Sequence, residues 1–203
     1  ALPSGQPLAT PGGFAREATA LGYHPSGRML AVGRWNGSVQ IIALPSGEPR
    51  KMPDGHSQEV TSLAIGRRGR WLVSGSRDKT VKVWALPSGR LHKTLVGHTN
   101  HVTSVAIEPR ESLVASGSWD NTVRLWSLPS GRLLRTLTGH KAWVNSLAIH
   151  PSGRWLLSAS DDGTLRIWAL PDGRLVATLV VTDAGQWVVF TPDGRFSNYP
   201  PAD

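Results

Sequence analysis

Serine, histidine and aspartate occur together three times in this chain at one fixed spacing. His56, Ser74 and Asp78 form the first group, His98, Ser116 and Asp120 the second, and His140, Ser158 and Asp162 the third. Each group ends six residues later on a tryptophan: Trp84, Trp126 or Trp168. These residue types are the parts of an activated nucleophile, with a base to take the serine proton and a carboxylate to hold the base. Two features argue against that chemistry. A single active site needs one such set, and here there are three. Each serine also lies within a strand-like run rather than on the Gly-x-Ser-x-Gly turn that lifts a nucleophile to solvent.

Other reactive patterns are missing too. The chain has no cysteine, so thiolate nucleophiles, disulfides and Cys-based zinc sites are excluded. His98-x-x-His101 offers two imidazoles, but no carboxylate completes a metal set and there is no His-Glu-x-x-His motif. The only adjacent carboxylates, Asp161 and Asp162, fall in a turn. No Walker A or Gly-x-Gly-x-x-Gly loop is present. The expectation is a protein without catalytic residues, metal or cofactor.

The elements that carry these residues repeat. Leu-Pro-Ser-Gly begins at Leu2, Leu44, Leu86 and Leu128, and Leu-Pro-Asp-Gly begins at Leu170, with 42 residues between successive starts. A fixed period of this size marks a repeat architecture. Within one unit, the runs Arg132–Leu137, Val144–Ile149, Trp155–Ser160 and Thr164–Ala169 are separated by Gly, Pro and Asp turns. Short apolar runs so punctuated read as antiparallel strands, and no segment keeps a helical period. The 22 Gly and 15 Pro are the turns, while 39% hydrophobic residues and nine Trp supply a core. No apolar run reaches the roughly 18 residues of a membrane span. No signal peptide is visible, and a cytoplasmic protein without membrane contact is expected.

Four strands per unit, an early Gly-His and a closing Trp resemble the WD40 repeat of β-propellers, over residues 1–180. The resemblance implies an all-β fold, with repeats 2–43, 44–85, 86–127 and 128–169, and a terminal strand and partial blade over 170–203. It implies four complete blades at 17–52, 59–95, 101–137 and 143–180, a lone outer strand at 6–10 and the inner strand of a fifth blade at 186–191. It also assigns the Ser, His, Asp and Trp sets a structural role. In the family, Trp donates to Ser, Ser to His and His to Asp. The first unit replaces all four, with Phe14, Val32, Asn36 and Ile42, so an apolar plug is expected there. Family rings usually carry seven blades. Four blades and a fragment are therefore expected to assemble with further chains or blades, two chains giving a ring of about eight to ten.

In the family, top-face contacts come from the residues flanking the first valine of each inner strand and from the residue before the turn aspartate. Here these are Glu17, Thr19 and Trp35; Glu59, Thr61 and Arg77; His101, Thr103 and Trp119; and Trp143, Asn145 and Asp161. Tryptophan beside Arg and His is the composition of interface hot spots, and points to a protein or peptide partner. The formal charge of +8 permits nucleic acid. However, most arginines recur at the same repeat positions and are spread around the ring, which makes nucleic acid the weaker alternative. The segment Gln186–Phe196 resembles the stretch after the last blade of bacterial family members, which are often fused to kinase or peptidase modules. A regulatory or sensor fragment of a larger signalling enzyme is the alternative to a scaffold.

Overall fold

The computed structural model of the chain describes residues 17–181 and 187–199. Every regular element among them is a strand. The first sheet holds β1 (Ala18–Tyr23), β2 (Met29–Arg34), β3 (Val39–Ala43) and β4 (Pro49–Lys51). The second holds β5 (Val60–Ile65), β6 (Trp71–Ser76), β7 (Thr80–Ala85) and β8 (Arg90–Val96). The third holds β9 (Val102–Ile107), β10 (Leu113–Ser118), β11 (Val123–Ser127) and β12 (Leu133–Leu137). The fourth begins with β13 (Val144–Ile149), β14 (Trp155–Ser160), β15 (Thr164–Ala169) and β16 (Leu175–Val181). All pairings are antiparallel between strands adjacent in sequence, so the first three sheets are four-stranded meanders and the fourth begins as one. The expected four-stranded blades are present. No helix among the described residues is long and apolar enough to cross a membrane.

The core lies between the blades. Ala31, Val39, Ile41 and Met52 of the first blade pack on Val60, Leu72 and Trp84 of the second. Val73, Val81 and Val83 meet Val102, Val105 and Trp126, and Leu113, Val123 and Leu125 meet Val144, Leu147 and Trp168. A blade covered on both sides is buried on both faces, as in β10, where all six residues are buried.

Each seam is closed by the same contact. A Cβ on Gly33 would stand 2.5 Å from Val60, one on Gly75 2.7 Å from Val102, and one on Gly117 2.8 Å from Val144. These glycines are required for close approach. Hydroxyls reinforce the contact: Thr19, Thr61 and Thr103 each donate to the carbonyl of Val60, Val102 and Val144 at 2.5 Å. Ser62 and Ser104 accept the amides of Val105 and Leu147 at 3.2 and 3.1 Å.

The C-terminal segment departs from expectation. Strands form at β17 (Trp187–Phe190) and β18 (Phe196–Tyr199), but β17 pairs with β16 from Thr178↔Phe190 to Val181↔Trp187. They extend the fourth sheet to six strands and do not begin a fifth blade. The reason is local. The seven-residue β16 offers an open edge of backbone donors and acceptors, and a hairpin reaches it with little loop to close. The lone strand expected at 6–10, and Phe14, lie outside the described residues.

Among the described residues, no strand covers the fourth blade's far face or the near face of the first. Leu21 and Tyr23 are each 63% exposed, whereas their counterparts Leu147 and Ile149 pack into a seam. Adding a methyl at an internal seam tests how tightly the blades pack. Gly117→Ala is expected to cost about 1–3 kcal/mol through overpacking against Val144. The urea midpoint reads this directly, and an unchanged midpoint would show that the seam has slack.

Candidate functional site

Each of the three polar sets forms a continuous chain of hydrogen bonds. Trp84 Nε1–H donates to Ser74 Oγ at 3.1 Å, Trp126 to Ser116 at 2.8 Å and Trp168 to Ser158 at 2.9 Å. Indole nitrogen can only donate, so each serine accepts from it and gives its own proton to histidine Nε2. These bonds measure 2.7 Å for His56, 2.8 Å for His98 and 2.7 Å for His140. Each Nδ1–H then donates to Asp78, Asp120 or Asp162 at 2.8, 2.7 and 2.9 Å. The direction of every proton follows from the tryptophan. The other carboxylate oxygen holds the turn through Thr80, Thr122 and Thr164. Ser74 and Ser116 have no exposed surface and Ser158 only 1%. A substrate cannot reach these buried hydroxyls.

Electrostatics agree with this arrangement. Burial pushes the Asp78 and Asp120 carboxyls up, but hydrogen bonds from the paired histidine and threonine outweigh it and hold both well below the usual carboxylate range. Asp162 is held down in the same way, with burial opposed by Thr164, the Lys141 amide and His140. Burial lowers His140 below its ordinary value, against the pull of Asp162.

In the first blade, Val32 and Ile42 are buried where Ser and Trp stand elsewhere. Asn36 keeps one task of the missing aspartate: its Oδ1 accepts Ser38 N–H at 3.0 Å and Ser38 Oγ–H at 2.7 Å.

The exposed candidates lie along one rim, because a backbone bond repeats in every blade. The amide of the residue before the turn aspartate donates to the residue leading the inner strand: Trp35 to Glu17, Arg77 to Glu59, Trp119 to His101 and Asp161 to Trp143, at 2.9–3.0 Å. Side chains then connect from blade to blade. The Arg77 guanidinium lies 5.1 Å from the Trp35 ring centre, within cation–π range, and is held by Glu59 at 2.7 Å. His101 Nδ1–H donates to the Arg77 carbonyl at 2.7 Å. Its ring lies 5.0 Å from Trp119, which stacks on Trp143 at 4.3 Å and 15°. Trp35 and Trp143 are 58% and 45% exposed. The stripe ends on Asn145, which donates to Asp161. Glu17 lies beside Arg34, at 3.6 Å. Thr19, Thr61 and Thr103 are separate from this surface, since their hydroxyls are engaged in the seams.

One positioning residue was not singled out from the sequence. Glu111 is 3% exposed and reaches from the third blade to the second, accepting Arg68 N–H at 2.6 Å and Arg70 Nε–H at 3.0 Å. It stands where other units have Gly27, Gly69 and Gly153, and it keeps their left-handed backbone with φ 59°. A side chain placed where the turn favours glycine was the available signal.

Ser116→Ala is expected to cost about 1–3 kcal/mol, because it strands the Trp126 N–H and His98 Nε2 in the interior. Denaturant titration measures it. Stability is also expected to fall with acid. The lowered His140 contributes above its ordinary 6.5 and is lost below it. The three aspartates contribute above their ordinary 3.8 and are lost as pH falls from there. Unfolding midpoints across pH 3–8 follow both steps, and a flat profile from pH 5 to 3 would contradict the second.

A family model described as WD domain, G-beta repeat matches residues 47–85, 89–127 and 131–169. These stretches make up more than half of the chain and contain all three complete networks. Comparison with curated proteins returns no match. With the period, the four-stranded blades and the Trp–Ser–His–Asp networks in agreement, the chain belongs to the WD40 repeat family.

Proposed function

We propose that the chain is a non-catalytic protein-interaction scaffold: a partial propeller that assembles with further chains or blades into a closed ring and holds a protein or peptide along its aromatic rim. The observation that carries this reading is the unbroken stripe from Trp35 through Arg77, His101 and Trp119 to Trp143, which crosses all four blades. Large rigid rings that are half exposed yet fixed by their neighbours lose little entropy when a partner covers them. Family membership supports the general role, since WD40 repeats serve as interaction scaffolds.

The charge supports a protein over nucleic acid. Several of the cations have partners within the chain at its surface: Arg70 on Glu111, Arg77 on Glu59, Arg50 on the Ser88 carbonyl and Lys82 on the Asp54 carbonyl. A phosphate-binding groove needs such groups free and massed on one face.

The test is a peptide array probed with the full chain, followed by titration of the bound sequences. Trp143→Ala is expected to weaken binding at least about tenfold, the usual cost of removing a hot-spot tryptophan, while the melting temperature stays near that of the parent. Binding untouched by both Trp143→Ala and Trp35→Ala would remove the rim as the site. Binding of DNA with a steep salt dependence, in place of peptide, would favour the electrostatic alternative.

A further inference from the structure

The two bare faces can be read against three internal seams built from the same repeat. In each seam a glycine on the second strand of one blade lies against a valine that opens the next: Gly33 on Val60, Gly75 on Val102 and Gly117 on Val144. On the bare face of the fourth blade, the residue 42 beyond Gly117 is Ala159. On the bare face of the first, the residue 42 before Val60 is Ala18. One position gains carbon where the other loses it. By the geometry of the internal seams, a Cβ at the glycine position comes within 3 Å of the valine methyl. Ala159 is thus unsuited to a valine, and Ala18 supplies the smaller side chain that it needs.

Other parts of the two faces match in the same way. His24 accepts the Ser26 amide on Nδ1 at 3.1 Å and sends Nε2–H across the first seam to the Gly69 carbonyl, also at 3.1 Å. His150 repeats the arrangement, accepting the Ser152 amide at 3.1 Å, and is exposed. The carbonyl matching Gly69 on the bare first blade is that of Gly27. Trp155, Leu157, Ile167 and Val176 line an apolar hollow of about 370 Å³ on the fourth blade, and the first blade offers the projecting Leu21 and Tyr23. The rim does not match: this pairing would bring two carboxylates, Asp161 and Glu17, towards each other, with Asn145 beside the first and Arg34 beside the second to offset the repulsion.

We propose that a second copy of this chain covers the fourth blade with its own first blade, head to tail, placing Ala18 of one copy on Ala159 of the other. The proposal rests on the ring-completing reading above and names its partner. Repeated at both ends, the contact closes two copies into a ring of eight blades. The occupant is a second copy rather than any similar blade because the compensating alanine is found in this chain's own first strand.

Sedimentation and light scattering of the full chain are expected to give twice the 21.9 kDa chain mass. Ala18→Val, which restores the valine against Ala159, is expected to weaken association at least about tenfold. Ala159→Gly opens a gap and weakens it less. The double variant Ala18→Val/Ala159→Gly recreates the internal pair and is expected to recover association to within about threefold of the parent. Because the chain lacks cysteine, Ala18→Cys chains mixed with Ala159→Cys chains give a separate measurement, with a disulfide-linked pair expected only in the mixture. A monomeric parent chain would overturn this proposal and the ring-completing reading together. A dimer indifferent to the Ala18 and Ala159 variants, or giving no mixed cross-link, would overturn this pairing alone and leave assembly through another surface.

Discussion

Everything in this fold depends on one blade lying flat against the next, because no blade has a core of its own. The apolar side chains of each sheet project from both faces, and the buried clusters all lie between sheets. What lets two twisted sheets approach so closely is a missing side chain: glycine at 33, 75 and 117, into whose space a valine fits. Threonine and serine then satisfy backbone groups that this approach would otherwise bury without partners. The geometry is local and repeated, so stability is a sum of nearest-neighbour contacts, and among the described residues the first and fourth blades each show one seam where the inner blades show two.

The Trp–Ser–His–Asp relay works with the seam. Its indole lies in the interface, buried against the preceding blade, while its N–H begins a chain of bonds running to the turn. One residue therefore fills apolar space and polarises a hydrogen-bond network. Because the relay is satisfied from end to end, it tolerates burial, and partial loss would leave stranded polar atoms. The first blade illustrates this: Val32 and Ile42 take the places of the hydroxyl and the indole together, leaving neither without a partner.

Much of this was legible in the sequence because a 42-residue period repeats every turn signal and every apolar run. The four blades follow from that period, since identical residues at identical intervals must occupy equivalent environments, and the three relays follow from the resemblance to the WD40 repeat that the period and motifs carry. What escaped was set by contacts between units. Thr61 reads as a rim residue from its place beside Val60, yet its hydroxyl turns into the seam because a carbonyl of the next blade lies there. The role of Glu111 depends on Arg68 and Arg70, some forty residues earlier, and no local pattern connects them. The fate of β17 was decided by competition between a bare face and a free edge. Strand propensity is the same in either place, but the edge offers backbone hydrogen bonds after a short connection, whereas the face requires the chain to cross back to the inner side of the sheet.

The rim stripe ties recognition to the same constraint. Trp119 belongs to the turn of the third blade and Trp143 to the start of the fourth, so their 4.3 Å stack exists only while the seam beneath them is closed. Arg77 over Trp35 spans the first seam in the same manner. A partner covering these rings rests on pairs that blade packing has already aligned, and the ordering cost was met when the blades stacked. By linkage, whatever loosens a seam must weaken binding, and whatever binds across a seam must stabilise it by the same free energy. The recognition surface is in this sense a readout of the seams, and the small residues that close them govern both.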